Sequence, residues 1–170
     1  MTRADIRKTQ VIAPNFKKRL SGVTATVVRL VPVQAREIGI AATGPVIPDH
    51  VPQIPLSALL TMPRSGPDGP RVWHARRNVE MIGGLALKYL LGKRLKLVFT
   101  SASQRKQSGL TRWLIRQMDA VVATSERTAG YLENPAQVIM HGIDLGDYAP
   151  AEDRPALRAK LGLPDALLMG

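Results

Sequence analysis

The string Val72-Trp73-His74-Ala75-Arg76-Arg77-Asn78-Val79-Glu80 packs a histidine, two arginines and an asparagine into five residues, where a strand-like run gives way to a helix-like one. Two guanidinium groups so placed could hold a phosphate or carboxylate bidentately, while His74 exchanges a proton or hydrogen-bonds a hydroxyl. A plainer reading stands beside it: Asn78 caps the helix, Arg76 and Arg77 are solvated, and His74 is a satisfied strand-end histidine. A second string, Asn15-Phe16-Lys17-Lys18-Arg19-Leu20-Ser21-Gly22, joins three cations to a Ser-Gly turn that opens another helix. Free first-turn amides and the bare backbone of Gly22 suit an anionic group, although a lone glycine before a helix is equally a simple turn. A third string, Ser101-Ala102-Ser103-Gln104-Arg105-Lys106, sets hydroxyls and cations after an apolar strand, and His141-Gly142 closes the last strand-like run.

Other chemistries are excluded by what the chain lacks. It has no cysteine, hence no disulfide scaffold, Cys-ligated zinc or thiol nucleophile, and its three histidines form no pair at metal spacing. No G-x-S-x-G, Walker lysine loop or complete G-x-G-x-x-G is present. The most apolar stretch, Ile82 to Gly92, carries Lys88 and is too short to span a bilayer, and Met1 to Asn15 lacks the apolar core of a signal peptide. The chain therefore reads as soluble and cytoplasmic. Its net charge of +11 is uneven: residues 1–120 hold 20 basic and 6 acidic side chains, residues 121–170 only 4 and 7. Such a field attracts nucleic acid, an anionic membrane or an anionic small substrate.

These strings need elements to position them. Candidate strands are Thr9 to Ala13, Ile38 to Thr43, Arg71 to Ala75, Leu95 to Ser101, Ala120 to Ser125 and Gln137 to His141. Helix candidates lie between and after them: Val23 to Arg36, Asn78 to Leu91, Leu110 to Met118, Glu126 to Leu132 and Arg154 to Leu161. Ser21, Asn78 and Ser125 are suitable N-caps, and Pro32 argues for a kink or early end in the first helix. Met81 and Met118 fall at core spacings. The alternation predicts an α/β fold, a Rossmann-like parallel sheet flanked by helices, with the βα loops on one edge as the ligand edge. Strands such as Leu95 to Ser101 are expected to be covered on both faces. Residues 44–70, with seven prolines, read as a loop-rich insertion around one short strand near Ile54 to Leu60.

The run Val138 to Asp144, then Tyr148-Ala-Pro and Arg158-Ala-Lys-Leu-Gly-Leu-Pro, resembles the end of the N-terminal domain in retaining glycosyltransferases of family 4. Gly142-Ile143-Asp144 match that pattern, and Met140-His141 replace its usual Pro-Asn. Arg71-Val-Trp-His74 resembles the family's strand end in histidine, and the strings 15–24 and 73–81 look closest to alphaproteobacterial lipopolysaccharide core mannosyltransferases. The resemblance implies the N-terminal half of a GT-B fold: an acceptor-binding domain over 1–150, then over 151–170 a linker helix and the first strand of a truncated donor-binding domain. It implies transfer of a hexose, expected to be mannose, from a nucleotide sugar, GDP-mannose in the nearest group, to the lipopolysaccharide inner core with retention of configuration. No cofactor or metal is expected, and the isolated chain is expected to be inactive. Residues implied to face acceptor or donor are Asn15, Ser21, Gly22, His74, Arg76, Arg77, Asn78, Ser101, Ser103, Arg105, Lys106, His141 and Gly142. Where many relatives carry a second histidine, this chain has Thr100-Ser101-Ala102-Ser103. The expected partners are a lipopolysaccharide core acceptor and an anionic membrane surface, with the protein peripheral at the inner face of the plasma membrane and no nucleic acid bound. Two other readings use the same basic face: a nucleic-acid-binding module, disfavoured by only seven aromatic residues and no recognition-helix pattern, and a non-catalytic peripheral membrane module.

Overall fold

The computed structural model describes residues 3–19, 21–140, 142, 149–164 and 166. Two compact units result, Met1–Met140 and His141–Gly170. The first contains β1 (Val11–Pro14), α1 (Gly22–Gln34), β2 (Ile40–Thr43), α2 (Ala58–Thr61), β3 (Arg71–Ala75), α3 (Asn78–Tyr89), β4 (Leu95–Ser101), α4 (Gly109–Arg116), β5 (Ala120–Ala123), α5 (Glu126–Ala129) and β6 (Gln137–Val138). In the second, α6 (Arg154–Lys160) is capped by the Asp153 carboxylate, which accepts from the Ala156 amide at 2.9 Å. The strand opening expected at 166–170 lies, apart from Ala166, outside the described residues.

The six strands are all parallel, in the order β2-β1-β3-β4-β5-β6. The chain runs outward from β1 to β2, then returns to place β3 on β1's other side. The strand order therefore reverses between β1 and β3, the position at which open α/β sheets form a ligand crevice at the carboxyl ends of the strands. Ile12, Trp73, Leu97 and Phe99 pack with Met81, Leu87, Leu114 and Ile115 of α3 and α4 on one face. Ala13, Ile40 and Ala42 pack with Val27 and Val31 of α1 on the other.

Three features depart from the expectations. In β4 the burial alternates, with Lys96 exposed and Val98 and Thr100 half-buried between fully buried neighbours, so one face is closed and the other only partly covered. No strand forms over Ile54 to Leu60. Pro52 and Pro55 cannot donate to a ladder, so the segment makes only isolated bridges, from Gln53 to Ala42 and to Arg3, and then turns into α2, which buries Leu59. Helix α1 does end early, as Pro32 argued, stopping at Gln34, two residues short of Arg36. Asn78 is the first residue of α3, and Arg77 occupies the cap position. The insertion is anchored from within: the buried Arg71 guanidinium donates to the Thr9, Ile6 and Pro63 carbonyls at 2.7, 3.1 and 3.3 Å.

Helix α3 packs against Trp73 and Phe16 at Gly83 and Gly84, where no side chain would fit. A Cβ at Gly84 would stand 2.5 Å from Trp73 Cδ1, and one at Gly83 2.8 Å from Phe16. Two glycines inside a helix cost roughly 1 kcal/mol each. Here they let the indole of Trp73 sit fully buried, donating from Nε1 to the Glu80 carbonyl at 2.8 Å, with the Phe16 ring tilted against it.

Candidate functional site

The crevice between β1 and β3 is built by two of the strings that sequence pattern alone singles out, 15–22 and 72–80. Asn15 follows β1 and is fully buried, and its amide donates to the Thr43 carbonyl at 2.8 Å. Ser21 and Gly22 open α1 on the same edge, and Gly22 is exposed with open space where a side chain would stand. Ser21 takes the cap position of α1, yet its hydroxyl caps no amide. It accepts instead from Arg77 Nη2 at 2.7 Å, across 56 residues of chain.

Arg77 is the hub of the crevice. Its Nη1 donates to Asn15 Oδ1 at 2.6 Å and to Glu80 Oε1 at 3.0 Å, and its Nη2 also reaches Thr24 Oγ1 at 3.1 Å. Thr24 in turn donates to Asn15 Oδ1 at 3.1 Å. The Arg77 and Glu80 side chains are 11% and 0% exposed, so this is a buried ion pair. Burial pushes the Glu80 carboxyl above its ordinary value, opposed by the Arg76 amide, which donates to Oε2 at 2.7 Å, and by the two guanidinium charges. The bidentate anion grip expected of Arg76 and Arg77 together is therefore not available in Arg77, whose terminal nitrogens are bonded within the protein. Arg76 is half-buried and turns Nη1 back to the His74 carbonyl at 3.3 Å. Burial and the neighbouring Arg77, against the pull of Glu80, lower it to about 10, so it stays cationic at neutral pH.

His74 lies one residue from the end of β3, with Nε2 2.7 Å from Thr100 Oγ1 on β4. Burial, reinforced by the Arg76 charge, pushes its pKa down to about 3. The imidazole is thus neutral at physiological pH. Of the two roles open to it, hydrogen bonding to a hydroxyl fits this state and donation of an imidazolium proton does not. Asn15 Nδ2 and Thr43 Oγ1, at the ends of β1 and β2, are buried polar atoms without a hydrogen-bond partner. Such atoms are costly unless something polar meets them.

Further along the same edge the arrangement changes. Ser101 is buried and accepts from the Ser103 amide at 3.4 Å, while Arg105 and Lys106 are exposed. Asn78 leaves the crevice to donate to Thr111 Oγ1 at 2.8 Å, and Ser108 caps α4 by accepting from the Thr111 amide at 3.3 Å, so the starts of α3 and α4 are tied together. Ser125 caps α5 in the same manner. Gly142 is exposed, and His141 lies outside the described residues. Among the described residues no group of three His, Cys, Asp or Glu side chains could hold a metal ion.

Thr24, Glu80 and Thr111 are parts of this network that residue type did not reveal. A signal for Glu80 exists in the spacing: residues 80, 84 and 87 share the helix face that meets the core.

No protein-family model matches the chain. The lipopolysaccharide core biosynthesis mannosyltransferase LpsB of Rhizobium meliloti (strain 1021) is 51% identical to it over 165 residues, 95% of this chain and 47% of the relative. The corresponding mannosyltransferase LpcC of Rhizobium leguminosarum bv. viciae is 49% identical over 168 residues, 98% of this chain and 48% of the relative. The chain thus spans about half the length of the curated relatives it matches.

Proposed function

From the premise that this chain is a relative, over nearly its whole length, of lipopolysaccharide core mannosyltransferases, we propose that it is the acceptor-binding half of a retaining glycosyltransferase. In this reading it works within a GT-B enzyme that transfers mannose from GDP-mannose to the lipopolysaccharide inner core. The single observation that carries the reading is the joining of the Ser21–Gly22 turn to the end of β3, through Arg77, at the point where the strand order reverses, with the neutral His74 one residue from the end of that strand. A neutral imidazole offers a sugar hydroxyl a directional hydrogen bond without placing a second positive charge beside Arg76. The uncapped start of α1, with no side chain on Gly22, suits the close approach of an anionic group. The buried Asn15 side chain is bonded to Arg77 and Thr24 beside that turn. No resident cofactor takes part in this scheme. Neutralisation of the leaving diphosphate falls to basic groups in the portion of the relatives that this chain does not span, so residues 1–170 alone are expected to transfer nothing.

The same proposal places the protein at an anionic inner membrane surface. Lys93 donates to the Leu60 and Met62 carbonyls, so its charge is engaged within the fold, while Lys96 and Arg112 form surface pairs with Asp119 and Glu133. Arg105, Lys106 and Arg116 are exposed, and beside them α4 carries Leu110 and Trp113 at 58% and 52% exposure. Leu114 and Ile115 of α4 face the core, while Leu110 and Trp113 face outward. An exposed indole among cations suits the bilayer interface. Among the described residues no helix is long and apolar enough to cross a membrane.

The test is a transfer assay with the full-length protein, GDP-mannose and a truncated core acceptor, the anomeric configuration of the product being read by NMR. An α-mannosyl product from the α-linked donor is expected. Absence of transfer, or an inverted product, would overturn the reading. Sedimentation with vesicles should show binding to anionic lipid that is released by salt, and equal binding to neutral lipid would remove the electrostatic component.

A further inference from the structure

Besides the crevice, the carboxyl edge of the sheet carries a cavity of about 250 Å³ between the loop that follows β4 and the segment that follows α5. Its chemistry comes from Lys106, Gln107, Arg112, Tyr131 and Glu133. A larger cavity of about 350 Å³ lies beside Ile6, Ile54 and Pro55 and includes no residue of the crevice. Lys106 and Gln107 leave the carboxyl end of β4, and residues 130–133 follow the short helix that leaves the carboxyl end of β5. The smaller cavity therefore shares an edge with His74.

Its lining is mixed in a specific way. Lys106 and Arg112 supply cationic donors, Gln107 an amide, Glu133 a carboxylate and the half-buried Tyr131 a flat ring. A single carboxylate and no histidine make a poor metal site, and one aromatic ring gives a nucleobase no sandwich. A sugar ring bearing one anionic group uses every part: the cations take the anion, Glu133 and Gln107 meet hydroxyls, and Tyr131 covers the apolar face of the ring. Arg112 pairs with Glu133, but both side chains are about half exposed. A pair in that setting contributes little, so an incoming anion displaces it at small cost.

We propose that this cavity is a subsite for an acidic sugar residue of the acceptor, distinct from the residue that receives the transferred hexose. The proposal rests on the acceptor-binding reading given above. It assigns Gln107, Arg112, Tyr131 and Glu133 to acceptor recognition and leaves transfer itself to the crevice.

The experiment titrates the full-length protein with glucuronate, glucose 6-phosphate and glucose, following backbone amide shifts by NMR. Saturable shifts confined to residues 106–112 and 130–133 are expected with an acid, and binding about tenfold weaker with glucose. The tighter of the two acids identifies the anion as carboxylate or phosphate. Arg112→Ala and Tyr131→Ala should each weaken acid binding about tenfold, and Tyr131→Phe should not. Glu133→Gln, which frees Arg112 and removes a like charge, should tighten it. Equal binding of glucose, shifts elsewhere, or weaker acid binding in Glu133→Gln would overturn the proposal. In the transfer assay Tyr131→Ala should raise the acceptor KM while kcat and donor KM hold. If the wild-type protein transfers no mannose yet binds the acids here, the enzymatic reading fails and the subsite stands. If transfer proceeds and none of the variants changes acceptor KM or acid binding, the subsite fails and the enzymatic reading stands.

Discussion

The crevice between β1 and β3 and the rim beyond β4 carry the same kinds of residue, arginine, serine and asparagine or glutamine, and use them in opposite ways. In the crevice Arg77 is spent on the protein itself, holding Asn15, Ser21, Thr24 and Glu80. At the rim Arg105 and Lys106 stand exposed, and Arg112 is held only by an exposed pair. The difference is one of dielectric. A guanidinium that loses water must be bonded on all sides, whereas an exposed one keeps its hydration and remains exchangeable with a ligand. Charge at the crevice therefore fixes backbone geometry, and charge at the rim is available for recognition.

The sharpest way to break this comparison is to remove the hub. Arg77→Ala leaves Glu80 buried without its partner and should cost about 3–5 kcal/mol in urea unfolding. A loss under about 1 kcal/mol would mean that the pair is no more than a surface contact. Arg77→Lys keeps the charge but not the two-pronged geometry, and should recover only part of the stability.

Gly84→Ala tests the close approach behind the crevice. The added methyl would meet Trp73 and disturb its bond to the Glu80 carbonyl. Overpacking of about 1–3 kcal/mol should outweigh the gain of about 1 kcal/mol in helix propensity. A variant more stable than the parent would show that α3 can shift outward freely.

A smaller effect separates the regions by pH. His74 in the folded protein resists protonation down to about 3, against an ordinary 6.5. Between those values the unfolded chain binds the extra proton and the folded chain does not, so stability is full above about 6.5 and is lost as pH falls. The raised Glu80 carboxyl acts in the opposite sense. Parent and His74→Gln should therefore be compared: the parent's advantage should shrink as pH drops from 7 toward 4, and parallel stability curves would refute a buried neutral imidazole.

The smallest effect on folding belongs to the rim. Replacing Arg105 and Lys106 together by alanine should change stability by no more than about 0.5 kcal/mol, while weakening retention on anionic vesicles. A large loss of stability would place those side chains in the fold after all.

What the sequence determined by itself is the scaffold and its ligand edge. Period, apolar runs and caps located Arg71–Ala75 and Leu95–Ser101 to the residue, and brought His74, the Ser21–Gly22 turn and the Ser101–Lys106 loop to one edge. These follow from local rules, since a strand in a parallel sheet and a helix after it are written in adjacent residues. The proline-rich insertion escaped them because Pro52 and Pro55 leave a strand-like sequence without the amides a ladder requires. Only the tertiary structure decided which arginine is consumed and which is free. Arg76, Arg77, Arg105 and Lys106 read alike as cations after a strand, yet the partners of Arg77 include groups 53 to 62 residues away in the chain, and burial alone makes their bonds obligatory. Burial also decided that His74 is neutral, since desolvation is a property of the packed neighbourhood and is not encoded in the residues flanking it.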